Sequence, residues 1–379
     1  MTSREPPFTV GIEEEYLLVD LHTGAVDEDP PPQLLKDCTE RGEGQIAPEF
    51  LRSQVEVSTC VCRTLQEARA DLARLRGIIV DVSRRYGLAP IAASTHPFSR
   101  ARVQKPTEQD EYSALAQEMQ AAARRQMICG MHVHVGLDDD DLRIDIMNQL
   151  SYFLPHLLAL SCSSPFWEGE LTGLKSFRLT VYDALPRTGL PERFESYGEF
   201  RRHLDTLIRN GLIEDTTRIW WDLRPNARYP TLETRVMDVC TSIDDSICLA
   251  ALNVCLVRML YRLRRANQCW RRYPNLLISE NRWRAMRYSF DAQLLDMARG
   301  ELVDFPELLE ELITLVRQDA EALNCVREVE HARTIVQRGT SAHRQVAVYN
   351  EARAGGASDR EALKAVVDFL VAETEAGMR

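Results

Sequence analysis

Polar and apolar residues alternate along two segments near the N-terminus. Residues 8–20 hold three consecutive glutamates, Glu13 to Glu15, in an otherwise apolar frame, and residues 49–59 alternate around Glu56. Successive side chains of a strand point to opposite faces, so a period of two predicts a β-strand at both places. The same criterion predicts further strands at 88–94, 128–137, 177–183 and 231–238.

Apolar residues spaced three to four apart predict helices elsewhere. The segment 64–86 shows this period most clearly. Further helices are predicted at 107–126, 140–160 and 243–265, and over most of 280–378. Near the C-terminus, Ser358 and Glu361 form the capping-box pattern that begins a helix. The stretches 21–48 and 163–176, rich in turn-forming residues, are predicted to be loops.

The order of these elements predicts the architecture. No repeat, linker or change of composition divides the chain, so we predict one domain over 1–379, with a helical part from about 300. Strands that carry a polar and an apolar face are typical of antiparallel sheets. We therefore expect an α+β fold, in which helices cover one face of an antiparallel sheet and the polar face holds a site.

The overall charge limits the classes of partner. The 46 basic and 57 acidic residues give a net charge of −11 and an isoelectric point of about 5.4. A general nucleic-acid binder needs a basic face, so we expect no nucleic-acid partner. Only four of the basic residues are lysines, so any clamp for a phosphate or carboxylate must be built mainly from arginine.

Cysteine usage and hydropathy bear on the location of the protein. The N-terminal segment MTSREPPFTV lacks the apolar core of a signal peptide, and the ten cysteines include no CxxC pair. The longest apolar stretch, 247–261, is too short to span a bilayer and is interrupted by Asn253 and Arg258. We expect a cytoplasmic protein with reduced, mostly buried cysteines and no membrane partner.

The predicted strands collect chemically active side chains. In the first strand Glu13 and Glu15 share one face and Glu14 lies on the other. Elsewhere the period places Glu56 beside Gln54 and Ser58, His132 beside His134, and Glu233 beside Arg235. Glu49 is out of phase with Glu56 and joins this face only through a bend. Each pattern alone also fits a solvent-exposed strand face.

Together these strands predict a metal site. Carboxylates that share a sheet face repel one another unless a cation lies between them. Oxygen ligands with few nitrogens suit Mg²⁺ or Mn²⁺ better than Zn²⁺, and Mg²⁺ commonly bridges phosphate oxygens. The chain contains neither GxxxxGK[ST] nor GxGxxG, so metals and arginines would have to hold a nucleotide.

Seven segments between residue 11 and about residue 290 match a known family in the same order. They are GIEEEYLLVD, EFLRSQVEVST, THPF, GMHVHVG, SSPFWEGELTG with Ser176 and Arg178, WDLRPNARYPTLETRVMDVC and ENRWRAMRY. On these segments the chain resembles the carboxylate–amine ligases of the glutamate–cysteine ligase type 2 group, in the glutamine synthetase superfamily. The resemblance implies a curved antiparallel sheet with helices on its outer face, a glutamine synthetase/guanidino kinase-like catalytic fold that holds ATP and two or three Mg²⁺ ions.

The same resemblance implies roles for individual residues. The implied metal ligands are Glu13, His132 and Glu233 near the nucleotide phosphates, and Glu15, Glu49 and Glu56 near the substrate acid. The implied nucleotide contacts are His134, Arg228 and Arg235. The candidates for contacts to the phosphoryl and carboxylate groups are Arg178, Arg224 and Arg235.

The implied activity is ATP-dependent ligation. A substrate carboxylate attacks the γ-phosphate of ATP, and an amine then displaces phosphate from the acyl phosphate to form an amide. Glutamate and cysteine are the default substrates of the family, so weak glutamate–cysteine ligase activity and small-molecule acid and amine partners are expected, as is a homodimer. Two positions depart from the family pattern, because Ser94 and Ser289 stand where glycine is usual, and these departures bear on substrate identity.

Three alternatives remain open at this point. A phosphotransferase of the guanidino-kinase type would also use ATP and Mg²⁺ but would phosphorylate a guanidine. A non-catalytic protein would bind ATP and metal without turnover. A metallohydrolase would use His132 and His134 with Zn²⁺, although the many surrounding carboxylates disfavour it.

Overall fold

Strand β1 (Val10–Asp20) is the central strand of a seven-stranded antiparallel sheet in the computed structural model, which describes residues 5–108 and 117–378. One neighbour is β3 (Gln54–Ser58), followed by β2 (Ile46–Pro48). On the other side, β4 (Leu88–Ile91) pairs with the end of β1, and β5 (Met131–Gly136) pairs with its beginning. Beyond β5 lie β11 (Thr231–Thr234) and β10 (Leu223–Pro225).

Six short strands form three small ribbons outside this sheet. They are β6 (Phe166–Trp167) with β7 (Glu170–Leu171), β8 (Thr188–Gly189) with β9 (Trp220–Trp221), and β12 (Leu294–Asp296) with β13 (Glu301–Val303). The helices among the described residues are α1 (Pro32–Arg41), α2 (Leu65–Arg84), α3 (Asp140–Leu150), α4 (Leu154–Ser161), α5 (Arg178–Tyr182), α6 (Tyr197–Arg209), α7 (Ile243–Arg265), α8 (Asn275–Tyr288), α9 (Phe305–Ala322), α10 (Val326–Arg338), α11 (Ser341–Ala354) and α12 (Asp359–Glu375). The α12 helix begins with the predicted capping box, in which Ser358 and Glu361 bond each other's backbone N–H.

The strand register gives the sheet one polar and one apolar face. Glu13 lies opposite both Ser58 and His132, and Glu15 lies opposite Glu56. Glu233 lies opposite His134 on the neighbouring pair of strands. The intervening residues of β1, β3 and β5 belong to the buried core, against which α2 and α7 pack. The predicted α+β architecture, with helices on one face of an antiparallel sheet, is therefore confirmed.

Helix α7 lies at the centre of this core. Its mean hydropathy reaches 1.5, which among the described residues gives it the length and composition of a membrane-crossing helix, but 83% of the relevant window is buried inside the protein. Aliphatic side chains such as Leu249, Leu256 and Leu260 have no exposed surface. The prediction of a buried helix at this position is confirmed. Eight of the ten cysteines, all free thiols, are likewise buried.

Glu14 points into the helix layer and forms a buried ion pair. Its carboxylate accepts hydrogen bonds from Arg76 Nε at 2.9 Å and Nη2 at 2.8 Å, and both side chains are fully buried. Ser246 Oγ donates to Glu14 at 2.5 Å, and the Tyr16 hydroxyl donates to it as well. Because Arg76 lies on α2 and Ser246 on α7, one carboxylate joins two helices to the central strand.

Two expectations about local structure are wrong. Residues 21–48 are more than a loop, because Pro32 begins α1, whose Leu34 and Cys38 are buried one turn apart, and β2 follows. Residues 177–183 contain helix α5 and form no strand. The Arg178 N–H bonds the Ser164 hydroxyl, and the backbone N–H groups that follow, such as that of Thr180, bond backbone carbonyls of the same helical turn. Tertiary contacts override the β-like pattern of this short segment.

Other elements differ from prediction mainly in extent. The strand expected over 49–59 is shortened to β3 (Gln54–Ser58), because a turn occupies the residues before it, and the one expected over 231–238 ends at Thr234. The helix expected over 107–126 falls partly on 109–116, which lie outside the described residues. Beyond that gap, a 3₁₀ turn spans Ala123–Arg125.

The Glu14–Arg76 pair is expected to govern stability. Changing Glu14 to Gln leaves a buried guanidinium without its counter-ion, so we expect a loss of about 3–5 kcal/mol in the free energy of unfolding. Urea denaturation followed by circular dichroism measures it. Glu40→Gln is the matched control, because Glu40 pairs with Lys36 at 4.0 Å on the exposed face of α1 and should have no measurable effect. Equal stability of the two variants would contradict the role given to the buried pair.

Candidate active site

Glu13 and two histidines form the centre of the polar face. Glu13 Oε2 lies 2.9 Å from His132 Nδ1, and Glu13 Oε1 lies 3.2 Å from His134 Nε2. Burial alone would raise the pKa of Glu13, but the contacts from His132 and His134 hold it well below its usual range. Burial lowers the pKa of His132, whereas the Glu13 contact outweighs burial and raises the pKa of His134. Glu13 is therefore ionised at neutral pH.

Glu233 is held from several sides. Arg224 Nε donates to Glu233 Oε2 at 2.9 Å, Asn226 Nδ2 donates to the same oxygen at 2.8 Å, and Arg235 Nη1 donates to Oε1. Burial opposes ionisation of Glu233, but the charges of Arg235 and Arg224 prevail and hold its pKa well below its usual range. The remaining donors of Arg224 bond the carbonyls of Thr217 and Ile219. Arg224 therefore fixes Glu233 in place.

The third group of carboxylates lacks such counter-charges. The Gly130 N–H donates to Glu15 Oε2 at 2.8 Å, but within residues 5–108 and 117–378 neither Glu49 nor Glu56 forms an ion pair. Burial and the charge of Glu15 raise the pKa of Glu49 to about 8. Burial and the charge of Glu13 raise the pKa of Glu56 well above its usual range. At this end of the face the protein supplies too little positive charge to keep all of the carboxyl groups ionised.

A cavity of about 120 Å³ lies beside these carboxylates. Its polar lining includes Glu15, Glu49, His132, Arg178 and Arg235, and its apolar walls are Phe50, Ile128, Tyr182, Leu185 and Trp220. Arg178 is 2% exposed, forms no ion pair with any described residue, and has a buried Nε without a hydrogen-bond partner. A buried guanidinium without a counter-ion is costly, so this geometry favours an anionic ligand in the cavity.

Gly130 makes room for this arginine. A Cβ atom at residue 130 would lie 2.4 Å from Arg178 Nη2, closer than any real contact. The segment before Arg178 is held by Asp238, whose carboxylate accepts from Ser164 Oγ at 2.7 Å and Ser176 Oγ at 2.9 Å. Backbone and side-chain constraints together aim the guanidinium toward the cavity.

A second, larger cavity of about 310 Å³ lies at the other end of the polar face. Glu13, His134 and Thr231 line its inner side, and its apolar walls include Pro7, Val10, Val61, Tyr229 and Pro230. Val61 is 77% exposed and Tyr229 is 60% exposed. Large apolar side chains at the mouth of a polar cavity suit a flat, partly apolar ligand group.

The donor set fits divalent cations. Oxygen and imidazole atoms of Glu13, His134 and Glu233 lie within 4.8 Å of one another, and the buried His134 Nε2 faces the Glu13 carboxylate at 3.2 Å. At the other end, the excess charge of Glu49 and Glu56 calls for a cation beside them. Carboxylate oxygens with one or two imidazoles suit Mg²⁺ or Mn²⁺.

The structure brings most of the predicted site residues to one face. The exception is Arg228, which lies exposed in the turn between β10 and β11, at the rim of the larger cavity. Asn226, Tyr182 and Gly130 also belong to the site, and the sequence pattern does not predict them, although Asn226 and Gly130 lie inside WDLRPNARYPTLETRVMDVC and GMHVHVG. None of the three shows a period or charge that singles it out.

Two quoted motifs serve the framework. His96 of THPF is fully buried, and its Nδ1 accepts from the Ser99 N–H at 2.8 Å while its Nε2 contacts Gly24 O. Arg282 of ENRWRAMRY bridges Asp183 and Asp222 at 2.7 and 2.6 Å. Both motifs tie loops together behind the cavities.

The two departures from the family pattern are also buried. Ser94 Oγ accepts from the Val239 N–H at 2.8 Å, and Ser289 Oγ donates to Ala159 O. Ser289 has a φ of 55°, in the left-handed region that favours glycine. Neither residue lines a cavity, so both departures concern the framework.

Comparison with known proteins identifies the family. The model of the glutamate–cysteine ligase family 2 matches residues 9–367. The chain belongs to this family. A curated relative from Rhodospirillum rubrum, named "putative glutamate–cysteine ligase 2", is 58% identical over 98% of this chain and 97% of its own length. One of the same name from a Jannaschia species is 50% identical over 98% and 97%.

Solved structures share the fold at low sequence identity. The glutamate–cysteine ligase of Francisella tularensis, determined in complex with AMP, has a TM-score of 0.69 and 14% identity over 99% of this chain and 91% of that one. A bifunctional glutathione synthetase from Pasteurella multocida has a TM-score of 0.70 and 15% identity over 97% of this chain, which spans only 52% of that protein. These likenesses confirm the predicted fold class.

Family membership also confirms the predicted type of activity. The protein is an ATP-dependent carboxylate–amine ligase of the glutamate–cysteine ligase type. The individual site residues, the metal ions and the substrates stay predictions.

The uncompensated charge of Glu49 should make the metal-free protein sensitive to pH. Its pKa of about 8 in the folded state exceeds the ordinary value of 4.5, so the folded state binds this proton more tightly. Stability is then greatest below the ordinary value and falls by about 1.4 kcal/mol per pH unit as the pH rises toward 8. Urea denaturation in EDTA from pH 5 to 8 should show a shallower fall for Glu49→Gln than for the wild type.

Glu43→Gln controls for the loss of one carboxylate, because Glu43 is exposed in the turn after α1. It should reproduce the wild-type slope. Parallel slopes for all three proteins would show that Glu49 has no unusual affinity for its proton.

Proposed function

We propose that this ligase activates a carboxylate of glutamate as an acyl phosphate and joins it to an amine. The observation that carries the proposal is Arg178, a buried guanidinium that forms no ion pair with any residue in the described part of the chain and lies beside Glu15 and Glu49 in the smaller cavity. A ligand with both anionic and cationic groups complements this lining. Glutamate, the default acid of the family, has this character.

The acid would be held by the charged groups of the smaller cavity. Arg178 and Arg235 would bind the carboxylate that does not react, and Glu15 or Glu49 would accept the α-ammonium group. The reacting carboxylate would then point along the face toward Glu13. Cysteine is the family's default amine, and the apolar walls near Tyr182 and Trp220 leave room for other amines of low polarity.

ATP would occupy the larger cavity. Its apolar rim, which includes Val61 and Tyr229, suits the adenine ring, and His134 on the inner side would face the phosphates. Arg228 in the turn above this cavity would approach the nucleotide from outside. Since no glycine-rich loop is present, the phosphates depend on these side chains and on bound cations.

The metal ions would be Mg²⁺, with Mn²⁺ as a substitute. The proposed ligands are Glu13, His132 and Glu233 toward the nucleotide, and Glu15, Glu49 and Glu56 toward the acid, and the clustering of His134 with Glu13 and Glu233 adds His134 as a candidate. When bound, the ions would neutralise charge on the phosphoryl group.

The protein side chains then have three tasks in the reaction. They align the acid with the γ-phosphate through Arg178 and Arg235, hold Glu13 and Glu233 beside the transferring phosphoryl group, and exclude water from the acyl phosphate. In the second step the amine nitrogen forms a C–N bond, the C–O bond to phosphate breaks, and the nitrogen loses a proton. Arg224 contributes by holding Glu233. The chemistry requires no nucleophilic protein side chain.

The nature of the product tests this function. Purified protein is incubated with ATP, Mg²⁺, glutamate and a panel of amines that includes cysteine and arginine, and products are identified by mass spectrometry. We expect an amide of glutamate together with stoichiometric ADP and phosphate. Formation of phosphoarginine would instead show that the protein is a guanidino kinase. Binding of ATP without formation of ADP would show a non-catalytic protein, and hydrolysis that needs zinc but no ATP would show a metallohydrolase. A homodimer and a cytoplasmic location stay separate predictions.

Arg178 variants test the proposed acid site. Arg178→Lys keeps the positive charge but loses the bidentate geometry of the guanidinium, so the KM for glutamate should rise moderately. Arg178→Gln loses both the charge and the geometry, so the KM for glutamate should rise by about 100-fold. The KM for ATP should stay unchanged in both. Arg202→Gln, on the exposed face of α6, is the control. Parallel increases in both KM values would contradict a specific role for Arg178 in acid binding.

A further inference from the structure

Asn226 connects the two halves of the site through one side chain. It follows β10 and lies at the start of the turn that leads to β11. Its Nδ2 donates to Glu233 Oε2 at 2.8 Å, and its Oδ1 accepts from the backbone N–H groups of Arg228 and Tyr229, both at 2.8 Å. No other described side chain contacts both the Glu233 carboxylate and the turn.

The orientation of the amide follows from its partners. Backbone N–H groups can only donate and an ionised carboxylate can only accept, so the oxygen of Asn226 must face the turn and its nitrogen must face Glu233. Arg224 and Arg235 also donate to the Glu233 carboxylate, so its oxygens act as acceptors. Neither an acid nor an aliphatic residue can make both sets of contacts.

The turn that Asn226 organises forms the rim of the larger cavity. Tyr229 and Pro230 line that cavity, and the Leu137 N–H bonds Pro230 O at 2.9 Å. The Asn226 N–H also bonds Thr231 O at 3.0 Å, which closes the turn across its base. The position of Tyr229 thus depends on Asn226 through both backbone and side-chain contacts.

We propose that Asn226 is a positioning residue that couples the nucleotide rim to the Glu233 carboxylate. The inference rests on the proposed function, in which the larger cavity takes ATP and Glu233 serves the phosphoryl site. Its amide oxygen fixes the position of the turn at the rim, and its amide nitrogen fixes the orientation of the Glu233 carboxylate. Movement of a nucleotide against Tyr229 is thereby transmitted to Glu233.

Two variants separate these two contacts. Asn226→Asp keeps an oxygen for the turn but places a second negative charge against Glu233 Oε2. Asn226→Ala removes both contacts. Loss of a side chain that orients a metal-binding or catalytic carboxylate typically costs 10–100-fold in activity. Asn210→Asp, at the exposed C-terminal end of α6, introduces the same chemical change outside both cavities and serves as the control.

The expected results differ for each variant. For Asn226→Asp, kcat should fall by about 10–100-fold while the KM for ATP changes by less than about twofold. For Asn226→Ala, kcat should fall similarly and the KM for ATP should rise. Asn210→Asp should match the wild type in both constants. Wild-type kcat in Asn226→Asp, or an unchanged KM for ATP in Asn226→Ala, would overturn the coupling role.

A measurement without turnover distinguishes this inference from the proposed function. Selective ¹⁵N-tyrosine labelling gives signals for the 11 tyrosines, and amide exchange of Tyr229 reports its bond to Asn226. Exchange should stay slow in the wild type and in Asn226→Asp, and should accelerate in Asn226→Ala. If exchange follows this pattern but no ligation is seen in the wild type, the proposed function fails and the turn contact stands. Fast exchange in the wild type would overturn the turn contact itself.

Discussion

The buried ion pair between Glu14 and Arg76 holds the central strand in a single register. Slippage by one residue would move Glu14 to the polar face and carry Glu13 and Glu15 into the helix layer, where one arginine cannot satisfy two carboxylates. The remaining N–H groups of Arg76 bond the carbonyls of Cys240 and Thr241, directly before α7. The same arginine therefore anchors the strand, the helix α2 and the chain segment that leaves the site.

On the opposite face of the strand, basic side chains of the protein compensate some of the carboxylates but not all of them. Glu13 is matched by two imidazoles and Glu233 by two arginines, so these carboxylates are ionised and stabilised by protein groups. Glu49 and Glu56 are half-buried near like charges and form no ion pair with a basic side chain among the described residues. The protein thus supplies compensating positive charge on one side of the face and too little on the other. A bound cation would stabilise the carboxylates most on that second side.

Regular strands made much of this site predictable from sequence. A period of two suffices to place Glu13, Glu15 and Glu56 on one face and Glu14 on the other, because strand geometry alone sets these positions. The sequence could not predict the partner of Glu14, since Arg76 lies 62 residues away and is one of many arginines on helices. The strand period therefore shows that Glu14 faces away from the site but not that it is fully buried and paired.

Residues in turns and irregular segments were harder to predict. Asn226 follows no period, and its importance comes from three partners that only the folded hairpin brings within reach. Arg178 was placed on a strand, but it begins helix α5, and its direction is set by Gly130 and by the hydroxyls around Asp238. Such positions depend on tertiary contacts, for which local sequence carries little signal.

Under the proposed function, the placement of the two cavities allows one sheet to serve both substrates. Glu13 borders the larger cavity and Glu15 the smaller one, and two residues along a strand span only about 7 Å. A nucleotide phosphate and an acid held at these ends can meet without movement of one domain against another. Part of the apolar wall of the smaller cavity, including Tyr182 and Trp220, comes from α5 and β9, outside the seven-stranded sheet. Changes in those segments can therefore alter which acid or amine is accepted while the carboxylate face, and with it the phosphoryl chemistry, stays intact.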